Sequence, residues 1–382
     1  MASIAELLEG KRVCICAGSG GVGKTTSAAA IAAGMAARGK RVAVLTIDPA
    51  KRLADSLGMP ELGNVERRVD PELFAAAGID PGTGELWAMM LDAKQTFDEV
   101  IRKNAPDAET RERILSNRIY QQLSAALAGS QEYMAMEKLY EIHADDRYDL
   151  LVLDTPPSPN ALDFLDAPRR LLQFIEGRAL QVFLKPTGLG MRVFGRGASV
   201  MFSILRRITG VDLLEDLAEF FGAFGGMVGG FRERARRVGE LLADPETSFV
   251  LVCGAQDEPV AQALRFHDKL VESKLPFAGA IVNKVHYGGE LGSEGADLVP
   301  ALRAELGDDG LARRVAANFA DFTALASHDR HNIERLAAAL GTDAVIEVPY
   351  LDHDVHDLSG LVEINRYLFA SGEKERAVTV AR

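Results

Sequence analysis

"CAGSGGVGKTT", residues 16–26, follows the apolar run "RVCICA" (12–17) and opens the alanine-rich pattern "TTSAAAIAAGMAA". Gly18 to Thr25 satisfy G-x-x-x-x-G-K-[ST], and a strand before and a helix after give that spacing its physical meaning. Glycines let the backbone close around phosphate oxygens with N–H groups pointing inward. The helix N-terminus adds a positive partial charge. The stretch predicts a cradle made by Gly20, Gly21, Val22, Gly23 and Thr26, with Lys24 reaching the β- and γ-phosphates and the Thr25 hydroxyl ligating Mg2+. The competing reading is a glycine-rich turn without a ligand.

Working outward, short apolar runs recur between longer helical patterns: "RVAVLTID" (41–48), "YDLLVLD" (148–154), "SFVLVCGA" (248–255), "FAGAIVN" (277–283) and "VIEVPY" (345–350), with "ELWAMMLD" (85–92) as a further candidate. Runs without strict alternation suit strands covered on both faces, and amphipathic segments between them supply crossover helices. The expectation is an α/β fold with a doubly wound, mostly parallel sheet. The intervals 93–147 and 156–247 place apolar residues at helical spacing, in "FDEVIRKNA" and "VDLLEDLAEFF" for example. They predict a helical subdomain inserted between core strands. The expected division is a core of 1–92, 148–160 and 246–382, with 93–147 and 161–245 as the subdomain.

Two acids end predicted strands. Asp154 is placed to hold a Mg2+-bound water beneath Thr25; Asp48 is placed to orient a water for attack on a γ-phosphate. The plainer alternatives are a turn cap for Asp154 and a helix cap for Asp48. In "IVNKVHYGG" the place where a guanine-reading loop carries Asp is His286. That favours adenine, and Asn283 can offer its amide to N6 and N7, or else satisfy backbone at a strand end. The nucleotide expected is ATP.

Composition narrows the partners. The 382 residues carry a formal charge of −12, which argues against nucleic acid, whose binding draws on a basic face. Three cysteines supply neither a disulfide framework nor metal-ligand spacing, and the N-terminus lacks an export signal, so the expected address is the cytoplasm. Residues 160–240 are locally basic, with 12 Lys and Arg against 9 Asp and Glu. The tract "FFGAFGGMVGGF" (220–231) is read either as a closed core or as a groove lined by Phe220, Phe221, Phe224, Met227 and Phe231 that accepts an apolar client helix. "FRERARRVGE" (231–240) is read as a solvated face or one meeting acidic groups.

"GSGGVGKTT", "TIDPAKRLADSLG", "LDTPPSPNALDFL", "VNKV" and "VPYLDHDVHDLSGL" stand in an order that resembles the arsenite-pump and tail-anchored-protein-targeting ATPases, deviant Walker A proteins of the SIMIBI type of P-loop NTPase. The resemblance implies a Mg2+-dependent ATPase acting as a dimer, either a homodimer or a heterodimer with a paralogue. It implies helical subdomains that move with nucleotide state to bind a client or a membrane protein, and a segment around Pro349 to Asp354 that covers adenine. It also implies alternatives: the energising subunit of an anion or metalloid transporter, or a partition-type positioning ATPase. Ser19 departs from the pattern, which has a lysine there that crosses into the partner's site. Lys51, Arg52 or a paralogue's lysine is expected to supply the missing cation. Pro159 and Asn160 stand where the pattern has Gly and His, and Pro156, Pro157 and Pro159 stiffen that segment. The cysteines match neither a metalloid site nor a shared zinc site.

Overall fold

The computed structural model of the chain describes residues 2–48, 51–80, 82–118, 120–121, 130–156, 165–170, 173, 225, 227–288, 298–342 and 344–370. Among them, one sheet holds β1 (Val13–Ala17), β2 (Arg41–Thr46), β3 (Arg67–Arg68), β4 (Glu85–Met90), β5 (Leu150–Asp154), β6 (Thr247–Gly254), β7 (Phe277–Val285) and β8 (Val345–Pro349). Their order across the sheet is β3-β4-β2-β5-β1-β6-β7-β8. Every pairing is parallel except β3 on β4. The apolar runs of the sequence are the seven parallel strands; the exposed Arg67 and Arg68 of β3 give no apolar signal.

The described helices are α1 (Ile4–Leu7), α2 (Lys24–Ala36), α3 (Arg52–Ser56), α4 (Pro71–Ala76), α5 (Ala93–Asn104), α6 (Ala108–Ser116), α7 (Ser130–Ala144), α8 (Val228–Ala243), α9 (Asp257–Glu272), α10 (Leu298–Leu306), α11 (Asp309–Leu340) and α12 (Leu358–Leu368). Side chains of a strand alternate between faces, so β1 feeds two cores. Val13, Ile15 and Ala17 join Phe97, Met136, Val238 and Leu336 on one side of the sheet. Cys14 and Cys16 join Ala29, Ile31, Leu57 and Leu361 on the other. Helix α2 is apolar on nearly all sides because it lies between the sheet and α12, and its small residues allow that approach. A side chain at Gly34 would overlap the Phe369 ring.

Helices α5, α7 and α8 pack on the sheet face opposite α2. Phe97 of α5 meets Tyr120 and, from α8, Phe231, with ring centroids 5.7 and 5.8 Å away. Glu137 of α7 is fully buried, where Arg234 of α8 neutralises it and the Tyr133 hydroxyl donates to it at 3.2 Å. Burying that carboxylate is tolerable only with those partners. Met227 and Phe231 are also buried, so this described end of the glycine-rich tract is closed core. Phe220, Phe221 and Phe224 lie outside the described residues, as do 157–164, which hold most of the proline-rich segment, and much of the expected subdomain. The arginines of α8 are paired: Arg236 with Glu233 and Glu240, Arg237 with Glu233. No described helix is long and apolar enough to cross a membrane.

Helix α11 has 32 residues and spans about 48 Å at 1.5 Å per residue. Asp308 caps its start by accepting from the Leu311 N–H, and Gly341 at φ 62° ends it. The strand pattern of the sequence does not anticipate this helix. Its C-terminal half carries Asp329, Asn332, Ile333 and Leu336 into buried positions near β7.

Candidate nucleotide site

Parallel strands point their carboxyl ends the same way, and the predicted residues gather at that edge of the sheet. The loop after β1 is forced by close approach. A Cβ on Gly18 would overlap the Val252 carbonyl oxygen of β6, and one on Gly23 would overlap the Asn283 amide of β7. Gly23 is also the residue before α2, at φ 91°, and no side chain caps that helix. The first amides of α2 are therefore left facing the loop, an arrangement that suits an anion.

Lys24 opens α2, is buried, and donates from Nζ to the Ser19 carbonyl oxygen at 3.0 Å. Burial lowers its pKa, and the nearby Asp154 and Asp48 carboxylates oppose that shift. Beneath it, sheet register sets Asp154 beside Cys16 of β1 and Thr46 of β2. Asp154 Oδ2 accepts from the Thr25 hydroxyl at 2.7 Å and the Thr46 hydroxyl at 2.8 Å, while Oδ1, also buried, accepts from no group among the described residues. Burial raises the Asp154 pKa to about 6, against the lowering effect of both hydroxyls and Lys24. A buried carboxylate with one oxygen unsatisfied beside a threonine hydroxyl is the donor set of a divalent cation and its water shell, so Thr25 and Asp154 fit Mg2+.

Thr46 was not anticipated. Its hydroxyl donates to Asp154 and accepts from the Asp48 N–H at 3.2 Å, tying both strand-end acids together. A buried polar residue closing an apolar strand, in "VLTID", was the available signal. Asp48 is 9% exposed, and the Arg52 guanidinium lies 3.9 Å from its Oδ2.

A cleft of about 550 Å³ runs from this loop to the end of β8. Gly21, Gly23, Lys24, Thr25, Thr26 and Asp48 line it, together with Asn283, Lys284, Pro349 and Tyr350. Gly20 and Val22 do not line it. Gly20 is at the exposed crown of the loop, and the Val22 side chain enters the core, so backbone amides are what they have to offer. The structure separates Lys51 from Arg52: Arg52 lines the cleft, whereas Lys51 borders a small cavity with Leu62 and Met90.

Asn283 makes the backbone contacts that were one of its two expected parts. Its Nδ2 donates to the Val22 carbonyl oxygen at 3.0 Å and its Oδ1 accepts from the Lys284 N–H at 2.9 Å. The amide clamps β7 to the loop and keeps a second Nδ2–H and a second Oδ1 lone pair. Lys284, held at φ 61°, directs Nζ to within 3.4 Å of the Gly21 carbonyl oxygen. Lys284 and Tyr350 lie in segments that the sequence singled out, "VNKV" and "VPYLDHDVHDLSGL", without either being given a part of its own. His353 pairs with Glu363 at 3.2 Å, and no metal-holding cluster of His, Cys, Asp and Glu is found among the described residues.

This chain is similar to several known proteins. It is 26% identical over 275 residues to the ATPase GET3 of Malassezia globosa, covering 71% of the chain and 72% of the relative. It is 28% identical over 282 residues to the putative arsenical pump-driving ATPase 1 of Aquifex aeolicus, covering 72% and 63%. An uncharacterised protein of Streptomyces coelicolor shares 31% over 203 residues, covering 53% and 45%. Residues 11–290 match the family described as Anion-transporting ATPase, a span that takes in the loop after β1, both strand-end acids and Asn283. With its nucleotide cleft at the carboxyl edge of a mostly parallel sheet, the chain belongs to the anion-transporting ATPase family.

Proposed function

We propose that the protein hydrolyses MgATP in this cleft and uses the change of nucleotide state to switch a dimer whose helical region holds a client or a membrane partner. One observation carries the ATP reading. The buried Lys24 and the Thr25–Asp154–Thr46 network stand under an uncapped helix N-terminus, with one Asp154 oxygen left for a cation shell. Thr25 and, through water, Asp154 would hold Mg2+, which would supply positive charge to the phosphate oxygens. The loop amides and Lys24 position the triphosphate, and Asp48 orients a water whose oxygen attacks the γ-phosphorus as the bond to the β–γ bridging oxygen breaks. The water's protons end on phosphate and solvent, leaving ADP and inorganic phosphate. Arg52, across from Asp48, supplies within the same chain a cation that Ser19 cannot give. Phosphate release by the purified chain in MgATP, absent with Lys24→Ala, tests the reading.

Driving an anion transporter is the second reading, favoured by the relative named as an arsenical pump-driving ATPase. A thiol-bound metalloid is an unsuitable cargo, because Cys14, Cys16 and Cys253 all lie buried in strands. Capture with Asp48→Asn in MgATP separates these readings: an apolar helix or a paralogue supports the client switch, and a membrane transporter supports the second.

A further inference from the structure

Thr46 closes β2, is 1% exposed and does not line the cleft, yet its hydroxyl touches both strand-end acids. The main chain is fixed up to this point. The Leu91 N–H donates to the Thr46 carbonyl oxygen at 2.9 Å, and the Ile47 N–H donates to the Asp154 carbonyl oxygen at 3.4 Å. Asp48 is the next residue, and its main-chain N–H returns to the Thr46 hydroxyl oxygen at 3.2 Å. A side-chain oxygen that accepts from the N–H two residues on makes a local turn, one way a threonine fixes the chain as it leaves a strand. The Arg52 guanidinium, 3.9 Å from Asp48 Oδ2 and on a side chain 63% exposed, is a looser hold.

A hydroxyl has one proton and two lone pairs. Thr46 gives its proton to Asp154 Oδ2 at 2.8 Å, which leaves its oxygen to receive the Asp48 N–H, so a single side chain is referenced to one acid and sets the other. The Thr25 hydroxyl donates to the same Oδ2 at 2.7 Å. Two donors on one oxygen fix the rotation of the Asp154 carboxylate and leave Oδ1, buried and without a partner among the described residues, as the oxygen for a cation shell. We propose that Thr46 is a positioning residue: it ties the main chain of Asp48 to the carboxylate that serves the cation shell, so that the water-orienting group keeps a fixed relation to the cation site. This rests on the ATP reading and deepens it. Because Thr46 does not line the cleft, its loss falls on turnover and not on nucleotide binding.

Thr46→Val keeps the shape of the side chain and removes its hydroxyl. In the full chain it is expected to slow phosphate release roughly ten- to hundredfold, the cost of misplacing a reacting group by up to about 1 Å, with MgATP affinity by calorimetry near wild type. Thr46→Ala serves the same comparisons with a smaller side chain, and Thr46→Ser, which keeps the hydroxyl, restores most of the rate. In an Asp48→Asn background Thr46→Val is expected to slow release no further, because Thr46 acts through Asp48; a general structural defect would add its own loss. A further readout needs no nucleotide. Exchange of the Asp48 amide proton, followed by NMR on the free chain, is expected to quicken in Thr46→Val and to match wild type in Thr46→Ser. Full turnover in Thr46→Val, equal losses of turnover and affinity, additive losses in the double variant, or unchanged Asp48 exchange overturns the positioning role while leaving the ATP reading in place. No phosphate release from the wild type overturns both.

Discussion

Two stretches that line the cleft are built in opposite ways. At the phosphate end, Gly18 to Thr26 are contiguous in the chain, and the functional groups are backbone amides, one buried lysine and carboxylates fixed by strand register. Around Tyr350, the side chains of His286, Asp329 and Tyr350 come from three elements, and the Tyr350 residue that lines the cleft is 60% exposed. In the first, close packing leaves no room for a side chain at Gly18 or Gly23. The second depends on side-chain contacts that a single substitution removes. On the proposed function, the chemistry would rest on the contiguous stretch of backbone and not on the side-chain contacts.

Changes at the phosphate end should separate chemistry from binding and have the largest effects. Asp48→Asn should slow phosphate release by about 10²- to 10⁴-fold, the range for a positioned acid–base group, while leaving MgATP affinity near wild type by calorimetry. Loss of both together would mean that Asp48 shapes the cleft and does not orient water. Gly18→Ala should destabilise the fold by about 3 kcal/mol or more, since its Cβ meets the backbone carbonyl of Val252 and no side chain can yield. A denaturant midpoint equal to wild type would show that the loop has slack.

The buried carboxylate gives a pH-dependent comparison. With the folded pKa of Asp154 raised to about 6, the folded state binds a proton that the unfolded state releases, so this group weakens the nucleotide-free fold as pH rises from about 4 to above 6. Asp154→Asn should then be more stable than wild type at pH 8, by at most about 3 kcal/mol, with the advantage shrinking as pH falls through 6 toward 4. Thermal melts giving a pH-independent difference would contradict the burial argument. The smallest effect is expected from the two cations after Asp48. Arg52→Ala should lower turnover about tenfold and Lys51→Ala should leave it unchanged, because Arg52 lines the cleft and Lys51 faces away. The reverse order would return Lys51 to the site.

The same division explains what the sequence reveals. Parallel strands are legible as apolar runs because both faces are buried, and Gly18 to Thr25 are legible because a phosphate loop is local along the chain. Asp48 and Asp154 are readable as the polar ends of such runs. Thr46 is less so, because one hydroxyl in a strand looks the same whether or not it ties two acids together. Asn283 was visible as a motif residue, yet its actual partner, Val22, is 261 positions away and only the fold brings them together. Asp329 carried no spacing signal at all, and α11 has none of the apolar-run pattern that marks the strands.

The central claim is that the loop after β1 grips a magnesium-bound triphosphate through Lys24 and the uncapped start of α2. Calorimetric titration of the purified chain with MgATP addresses it most directly. A saturable heat in the wild type that disappears in Lys24→Ala, with both proteins equally folded by circular dichroism, is the predicted result. No heat in the wild type, or the same heat in Lys24→Ala, would contradict it.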